Sequence, residues 1–96
     1  MAAELIVHER MVLDHASLIE IRIWQVPSPV PPSTHRLKYS MVYIENGKRR
    51  VGYDNERGKG DHRHLDEREE AYRFTSIEKL LADFKAEVEK IRGTKL

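Results

Sequence analysis

The chain has 96 residues, of which 40% are apolar and 34% are charged, a balance typical of one folded domain. We therefore predict a single domain over residues 1–96. The formal net charge of +1 excludes a basic surface over the whole molecule, so nucleic acid would have to bind at a local cluster of cations. The absence of cysteine excludes disulfides and thiolate metal sites and favours the reducing cytoplasm, and the charged N-terminal residues predict no membrane span.

Two strands and a proline-rich connection are predicted at the start of the chain. Apolar side chains alternate over residues 4–13 and 18–26, and the polar residues between them favour a turn. Residues 27–33 contain four prolines, whose missing N–H groups exclude a strand. We interpret this segment as a rigid connection between two hairpins, with a proline-rich ligand for another domain as the alternative.

A second hairpin is predicted next. Residues 37–44 alternate, and Asn46-Gly47 favours a two-residue type I′ turn because both residues tolerate positive φ. The following strand, residues 48–54, is expected to lead directly into the glycine-flanked loop Gly58-Lys59-Gly60. Side chains at the end of a strand, carried on such a loop, often have functional roles.

A short last strand and a helix complete the prediction. Tyr72 and Phe74 indicate the strand, and Thr75 with Glu78 matches a helix capping box. Gly93 fits the C-terminal stop. The apolar residues at helical spacing are Ile77, Leu80, Leu81, Phe84, Val88 and Ile91. We interpret their stripe as a core face, with a partner-binding face as the alternative.

The predicted fold class is therefore α+β. It comprises an antiparallel β-sheet of four to five strands, arranged as two hairpins, with one C-terminal α-helix packed on one face.

Residues 53–65, YDNERGKGDHRHL, contain the side chains that suggest chemistry. On an extended segment, His62 and His64 point to the same side. Two imidazoles can divide the roles of general base and general acid, as cleavage of RNA without a metal requires. We predict that Tyr53 and Asp54 complete the catalytic set, with Tyr53 stacking on a base.

Four further residues of this segment are predicted to bind phosphate or RNA. They are Arg57, Lys59, Arg63 and Asn55. The three cations would hold a phosphate and offset the charge that develops in the transition state. The Asn55 side chain would also orient a histidine. This leading interpretation includes no metal and no cofactor.

Two alternatives use the same segment differently. His62 and His64, together with Asp61 or Asp54, form a set that zinc or another transition ion would accept, although the nearby cations oppose a dication.

A purely structural interpretation is also open. In that case the polar segment is a solvated extension of a hairpin, in which Asp54 and Asn55 make turn hydrogen bonds. Arg63 would then pair with Asp66 or Glu67.

The sequences VGYDNERGKGDHRHL and EEAYRFTSIEKLLADF resemble the TumE family of small toxins, and the resemblance extends over about residues 3–91. It implies a toxin restrained by a cognate antitoxin, usually a helix-turn-helix DNA-binding protein. Residues 65–68 depart from the short glycine turn expected there. The matching motif positions are Tyr53, Asp54, Asn55, Gly58, Lys59, Gly60, Asp61, His62, Arg63 and His64.

Three functional hypotheses follow. The leading one is a metal-independent endoribonuclease toxin that acts through residues 53–65. The alternative is a non-enzymatic module that uses the same basic segment to hold nucleic acid or a protein partner. The third is a structural subunit that forms a homodimer through Trp24 and an exposed strand edge.

Overall fold

A computed structural model describes residues 2–96 and shows six strands followed by one helix. The elements are β1 (Glu4–Asp14), β2 (Ser17–Gln25), β3 (Leu37–Glu45), β4 (Lys48–Glu56), β5 (Gly60–Leu65), β6 (Arg68–Ala71) and α1 (Ile77–Arg92). The strands form one antiparallel sheet in the order β1-β2-β3-β4-β5-β6. Each strand therefore pairs only with the strands that precede and follow it in the chain.

The predicted α+β class, with an antiparallel sheet and one C-terminal helix, is confirmed, but the number of strands was wrong. Six strands are present instead of four to five, because much of the predicted loop is strand. β4 continues to Glu56, and residues 60–65 form β5. The last strand ends at Ala71, before Tyr72 and Phe74. A polar segment can join a sheet because ladder hydrogen bonds use the backbone.

Two glycines allow the turns on either side of β4. Asn46 and Gly47 have φ values of 53° and 75°, which confirms the predicted positive-φ turn between β3 and β4. Gly60 has a φ of 76°, and a Cβ atom at this position would lie 3.0 Å from Cγ of Pro32. The start of β5 therefore needs glycine both for its backbone conformation and for the close approach of the proline-rich segment.

The proline-rich segment joins the two predicted hairpins, as expected, and packs against the turn between β4 and β5. The backbone N–H of Gly58 donates to the carbonyl of Pro31 at 2.8 Å. The Oγ of Ser33 donates to the Asp61 carboxylate at 2.6 Å. The connection therefore fixes the position of the β4–β5 turn, which lies within the polar residues 53–65.

The core lies between one face of the sheet and α1. Alternate residues of β2, β3 and β4 are buried there because successive side chains of a strand point to opposite faces. The sheet residues are Ile19, Ile21, Ile23, Tyr39, Met41, Tyr43, Val51 and Tyr53, and the helix adds Leu80, Phe84 and Val88. We call this the helix face. On the other side of the sheet, the open face, residues such as Arg22, Lys38 and Ser40 are exposed.

The helix starts one residue later than predicted. Ser76, and not Thr75, is the N-cap: it is extended (φ −156°, ψ 162°), and its Oγ accepts a hydrogen bond from the Lys79 N–H at 3.1 Å. Serine and threonine are both good caps, so the motif alone does not select between adjacent candidates. Gly93 ends the helix as predicted, with a φ of 73°. Within residues 2–96, no helix is long and apolar enough to cross a membrane.

We expect Ser76→Ala to lower the free energy of unfolding by about 1 kcal/mol, because the Lys79 N–H loses its acceptor. Thr75→Ala is the matched control and should change it by much less. Urea denaturation followed by circular dichroism measures both changes. A larger effect at Thr75 would contradict the Ser76 cap.

The carboxylate of Asp14 joins the turn between β1 and β2 to the end of α1. It accepts hydrogen bonds from Oγ of Ser17 at 2.6 Å and from the N–H of Ala16 at 2.8 Å. Arg92 pairs with its other oxygen at 3.2 Å. These hydrogen bonds lower the pKa of Asp14 from 3.8 to about 2, and the bond from Ser17 has the larger effect. Folding therefore favours the ionised carboxylate.

We expect Asp14→Asn to lower the melting temperature at neutral pH and to have progressively less effect as the solution is acidified from pH 3.8 to about pH 2. A lowered pKa contributes stability above its unfolded value, and this stability is lost as Asp14 becomes protonated in the folded chain. Thermal melts of both proteins over this pH range test the prediction. A difference in melting temperature that is as large near pH 2 as at neutral pH would contradict it.

Candidate functional site

The pairing of β4 with β5 brings both histidines to the open face. His62 is opposite Asp54, and His64 is opposite Gly52. The two imidazole rings are 5.0 Å apart between centroids and are inclined at 80°. The extended H-x-H segment therefore places the two rings side by side, with Asp54 as their neighbour on β4.

His62 is almost fully buried, with 4% of its surface exposed. Its Nδ1 lies 2.9 Å from the carbonyl of Gly60, and because a carbonyl only accepts, Nδ1 carries a proton and donates it. Its Nε2 lies 2.5 Å from Oδ1 of Asp54. This contact is not aligned as a regular hydrogen bond, and neither atom has another hydrogen-bond partner. The two atoms are therefore in close contact without a regular hydrogen bond between them.

The electrostatic surroundings differ between Asp54 and His64. Burial raises the pKa of the Asp54 carboxyl above its ordinary value of 3.8, although His62 opposes this shift. Burial also lowers the pKa of His64 below its ordinary value of 6.5, and the positive charge of Arg49 adds to this effect. Burial therefore disfavours the charged form of both groups.

Glu69 of β6 belongs to this cluster, although the sequence analysis did not include it. Its two carboxylate oxygens lie 3.8 Å from Nε2 of His62 and 3.9 Å from Nδ1 of His64. The pairing of β5 with β6 places Glu69 opposite His64. Recognising residues 66–67 as a turn would have revealed this pairing, because the turn sets the register of a hairpin.

A cleft of about 400 Å³ opens beside His62, between β5 and the edge strand β6. Lys59 and Glu69 line it, and the Lys59 ammonium lies 3.4 Å from the Glu69 carboxylate. Arg57 is exposed in the same turn as Lys59. Two of the three predicted phosphate-binding cations are therefore in the turn that precedes the histidines.

Tyr53 and Arg63 lie on the helix face, away from the histidines. Tyr53 has no exposed surface, and its ring packs edge-on against Tyr72 and Phe84. The hydroxyl of Tyr53 accepts a hydrogen bond from Arg63 at 3.1 Å. Arg63 also pairs with Glu70 on β6, and not with the acidic residues of the β5–β6 turn. In this structure the Tyr53 ring is not accessible for stacking on a base.

Asn55 is fully buried and extends the pairing between β3 and β4 through its side chain. Its Oδ1 accepts from the N–H of Tyr39 at 2.9 Å, and its Nδ2 donates to the carbonyl of Leu37 at 2.8 Å. The same Nδ2 lies 3.3 Å from Oγ of Ser33. The structure thus places Asn55 among backbone groups of the connection and β3, without a hydrogen bond to either histidine.

Comparison with known protein families gives a match that covers most of the chain. A family model described as Toxin TumE matches residues 2–92. The chain belongs to the TumE toxin family. No curated protein and no solved structure matches it. The segment matched to TumE includes all six strands, the whole of α1 and the cluster of Asp54, His62, His64 and Glu69.

In this TumE-family chain, Asp61 is held in a separate polar network. Its carboxylate accepts hydrogen bonds from Ser33 at 2.6 Å, from the Tyr39 hydroxyl at 2.6 Å and from Nε2 of His35 at 2.7 Å. The N–H of Leu37 donates to Nδ1 of His35 at 3.3 Å, so the proton on this imidazole is at Nε2. Because its oxygens are already bound by these donors, Asp61 is less suited than Asp54 to join His62 and His64.

We expect Asn55→Ala to lower the free energy of unfolding by about 2 kcal/mol or more, because buried backbone groups of Tyr39 and Leu37 lose their partners. Arg57→Ala, in the exposed turn, serves as the control and should have little effect. Chemical denaturation of the two variants and the parent gives the comparison. Equal stabilities for the parent and Asn55→Ala would mean that this amide is not a structural link.

Proposed function

We propose that the chain is the toxin of a two-gene toxin-antitoxin module and acts as a metal-independent endoribonuclease. The observation that supports this most is the contact of 2.5 Å between Asp54 and His62, with the His64 ring beside it. It places a carboxylate against one imidazole, beside a second imidazole that is partly exposed to solvent. Membership of the Toxin TumE family supports the toxin role.

The proposed reaction is transfer of the RNA phosphodiester to its own ribose. One imidazole accepts the proton of the 2′-hydroxyl, whose oxygen then forms a bond to phosphorus. The bond from phosphorus to the 5′-oxygen breaks, and the other imidazole donates a proton to this leaving group. The products are a cyclic phosphate and a free 5′-hydroxyl. In this scheme His62 and His64 divide the two proton transfers, and Asp54 positions His62.

The cations and the buried residues have different proposed roles. Lys59 and Arg57 bind the phosphate and offset its developing charge. The pair between Lys59 and Glu69 is exposed, so it is weak, and an RNA phosphate can replace the carboxylate. Arg63 supports the site from the helix face through its contacts with Tyr53 and Glu70.

The proposed partners follow from family membership and from the exposed edge of the sheet. We infer a cognate antitoxin that restrains the toxin in the cytoplasm. The edge strand β1 has exposed apolar side chains, among them Met11 and Val12, which are typical of a surface that pairs with another chain. A homodimer through this edge, with Trp24 nearby on β2, remains part of the proposal.

The second candidate function is binding of RNA or an acidic partner without turnover. The burial of the His62 Nε2 and Asp54 Oδ1 atoms favours it, because these atoms have almost no exposed surface for a substrate to contact. Exposed cations lie on the same open face, including Arg22 and Lys38. This candidate predicts RNA affinity that falls steeply with salt concentration and no cleavage.

We expect the purified chain to cleave a single-stranded RNA oligonucleotide in excess chelator, and the double variant His62→Ala/His64→Ala to be at least about 100-fold slower, because acid–base catalysis is lost. Arg68→Ala, which changes an exposed arginine near the same edge, is the control. Gel analysis of products gives the rates, and circular dichroism verifies folding. A double variant that is folded and as fast as the parent would contradict the proposed mechanism.

A further inference from the structure

Two buried polar atoms in the cluster lack an aligned partner, namely Oδ1 of Asp54 and Nε2 of His62. Buried polar atoms in folded proteins nearly always have a partner, so an unpaired pair requires an explanation. Both atoms are good metal ligands when unprotonated, and they lie 2.5 Å apart. The surroundings of these atoms therefore suggest a place for a cation.

The ligand atoms needed to complete such a site are present. Asp54, His62 and His64 each offer one ligand atom, and these atoms all lie within 4.8 Å of one another. The oxygens of Glu69 lie 3.8 Å and 3.9 Å from the nitrogens of His62 and His64. Ligands around a tetrahedral zinc ion at about 2.1 Å are separated by about 3.4 Å. In such a site the Asp54–His62 contact would lengthen and the longer separations between ligand atoms would shorten.

We propose that Asp54, His62, His64 and Glu69 bind one divalent transition-metal ion, with zinc as the expected ion. Two imidazoles and two carboxylates are ligands that zinc accepts. The proton on Nδ1 of His62 is donated to the Gly60 carbonyl, which leaves Nε2 as the ligand atom. Metal-binding histidines are commonly oriented by this kind of hydrogen bond.

The charges around the cluster are compatible with a dication. Asp54 and Glu69 together supply two negative charges, which neutralise it. Lys59 lies 3.4 Å from Glu69 and is exposed, so it can move away when the ion binds. Arg49 is the other nearby cation, and its side chain lies over Gly52 on the open face. Arg63, which the sequence alone placed beside the histidines, is on the helix face with Glu70 and so does not oppose the ion.

Metal binding would regulate the proposed nuclease, and this second part of the inference rests on the proposed function. An ion bound to the nitrogens of His62 and His64 occupies the lone pairs that would accept a proton. Zinc should therefore inhibit cleavage, and a chelator should restore it. The binding of zinc itself does not depend on whether the chain cleaves RNA.

Zinc binding is tested by titration of the chelator-stripped chain against a chromogenic zinc chelator at neutral pH. We expect one zinc ion per chain and an affinity at least tenfold lower in both His64→Ala and Glu69→Gln. His15→Ala is the matched control, because His15 is exposed in the β1–β2 turn, far along the chain from the cluster. Zinc should also raise the melting temperature of the parent and of His15→Ala. The increase for His64→Ala should be much smaller. The absence of stoichiometric binding, or equal affinities in the parent and both cluster variants, would overturn the metal site.

A cleavage assay with and without zinc separates the two proposals. Zinc binding together with inhibition that a chelator reverses supports both. Zinc binding by a chain that never cleaves RNA supports the metal site and overturns the nuclease. Cleavage in chelator by a chain that binds no zinc supports the nuclease and overturns the metal site. Zinc binding that accelerates cleavage would support the metal site and overturn the proposal that zinc inhibits the nuclease.

Discussion

The antiparallel register between β4 and β5 determines which side chains of the polar segment can act together. Because side chains alternate along a strand, Asp54, His62 and His64 share the open face. The same alternation sends Tyr53 and Arg63 to the helix face. A shift of one residue on β4 would move Asp54 to the helix face, and the same shift on β5 would move both histidines there.

Buried polar contacts maintain this register from the other side of the sheet. Asn55 binds backbone groups of the strand β3, and Asp61 binds Ser33 in the proline-rich connection. These residues lie next to Asp54 and His62 along the chain. The residues that look most polar in the sequence therefore divide into two sets, one that builds the site and one that fixes the strands beneath it.

Much of the fold was predictable because local patterns determine it. The Asn46-Gly47 turn, the apolar stripe of α1 and the alternation of the early strands each need only neighbouring residues. The two strands β5 and β6 were not predicted, because their side chains are mostly polar and their stability comes from pairing with β4. The relation between His62 and His64 could be predicted from strand geometry alone. The burial of Tyr53 and the contribution of Glu69 could not, because both depend on which strands are neighbours.

The sheet is a simple meander, and this has a consequence for how the chain folds. Every strand pairs with the strand that precedes it, so the sheet contacts join segments close in sequence, which is typical of fast folding for a β-rich domain. The sheet can grow in the order of synthesis, with β1 and β2 pairing first. The cluster, however, draws on β4, β5 and β6, and the helix covers the core last. A nascent chain emerging from the ribosome therefore has most of its sheet before it has its complete site.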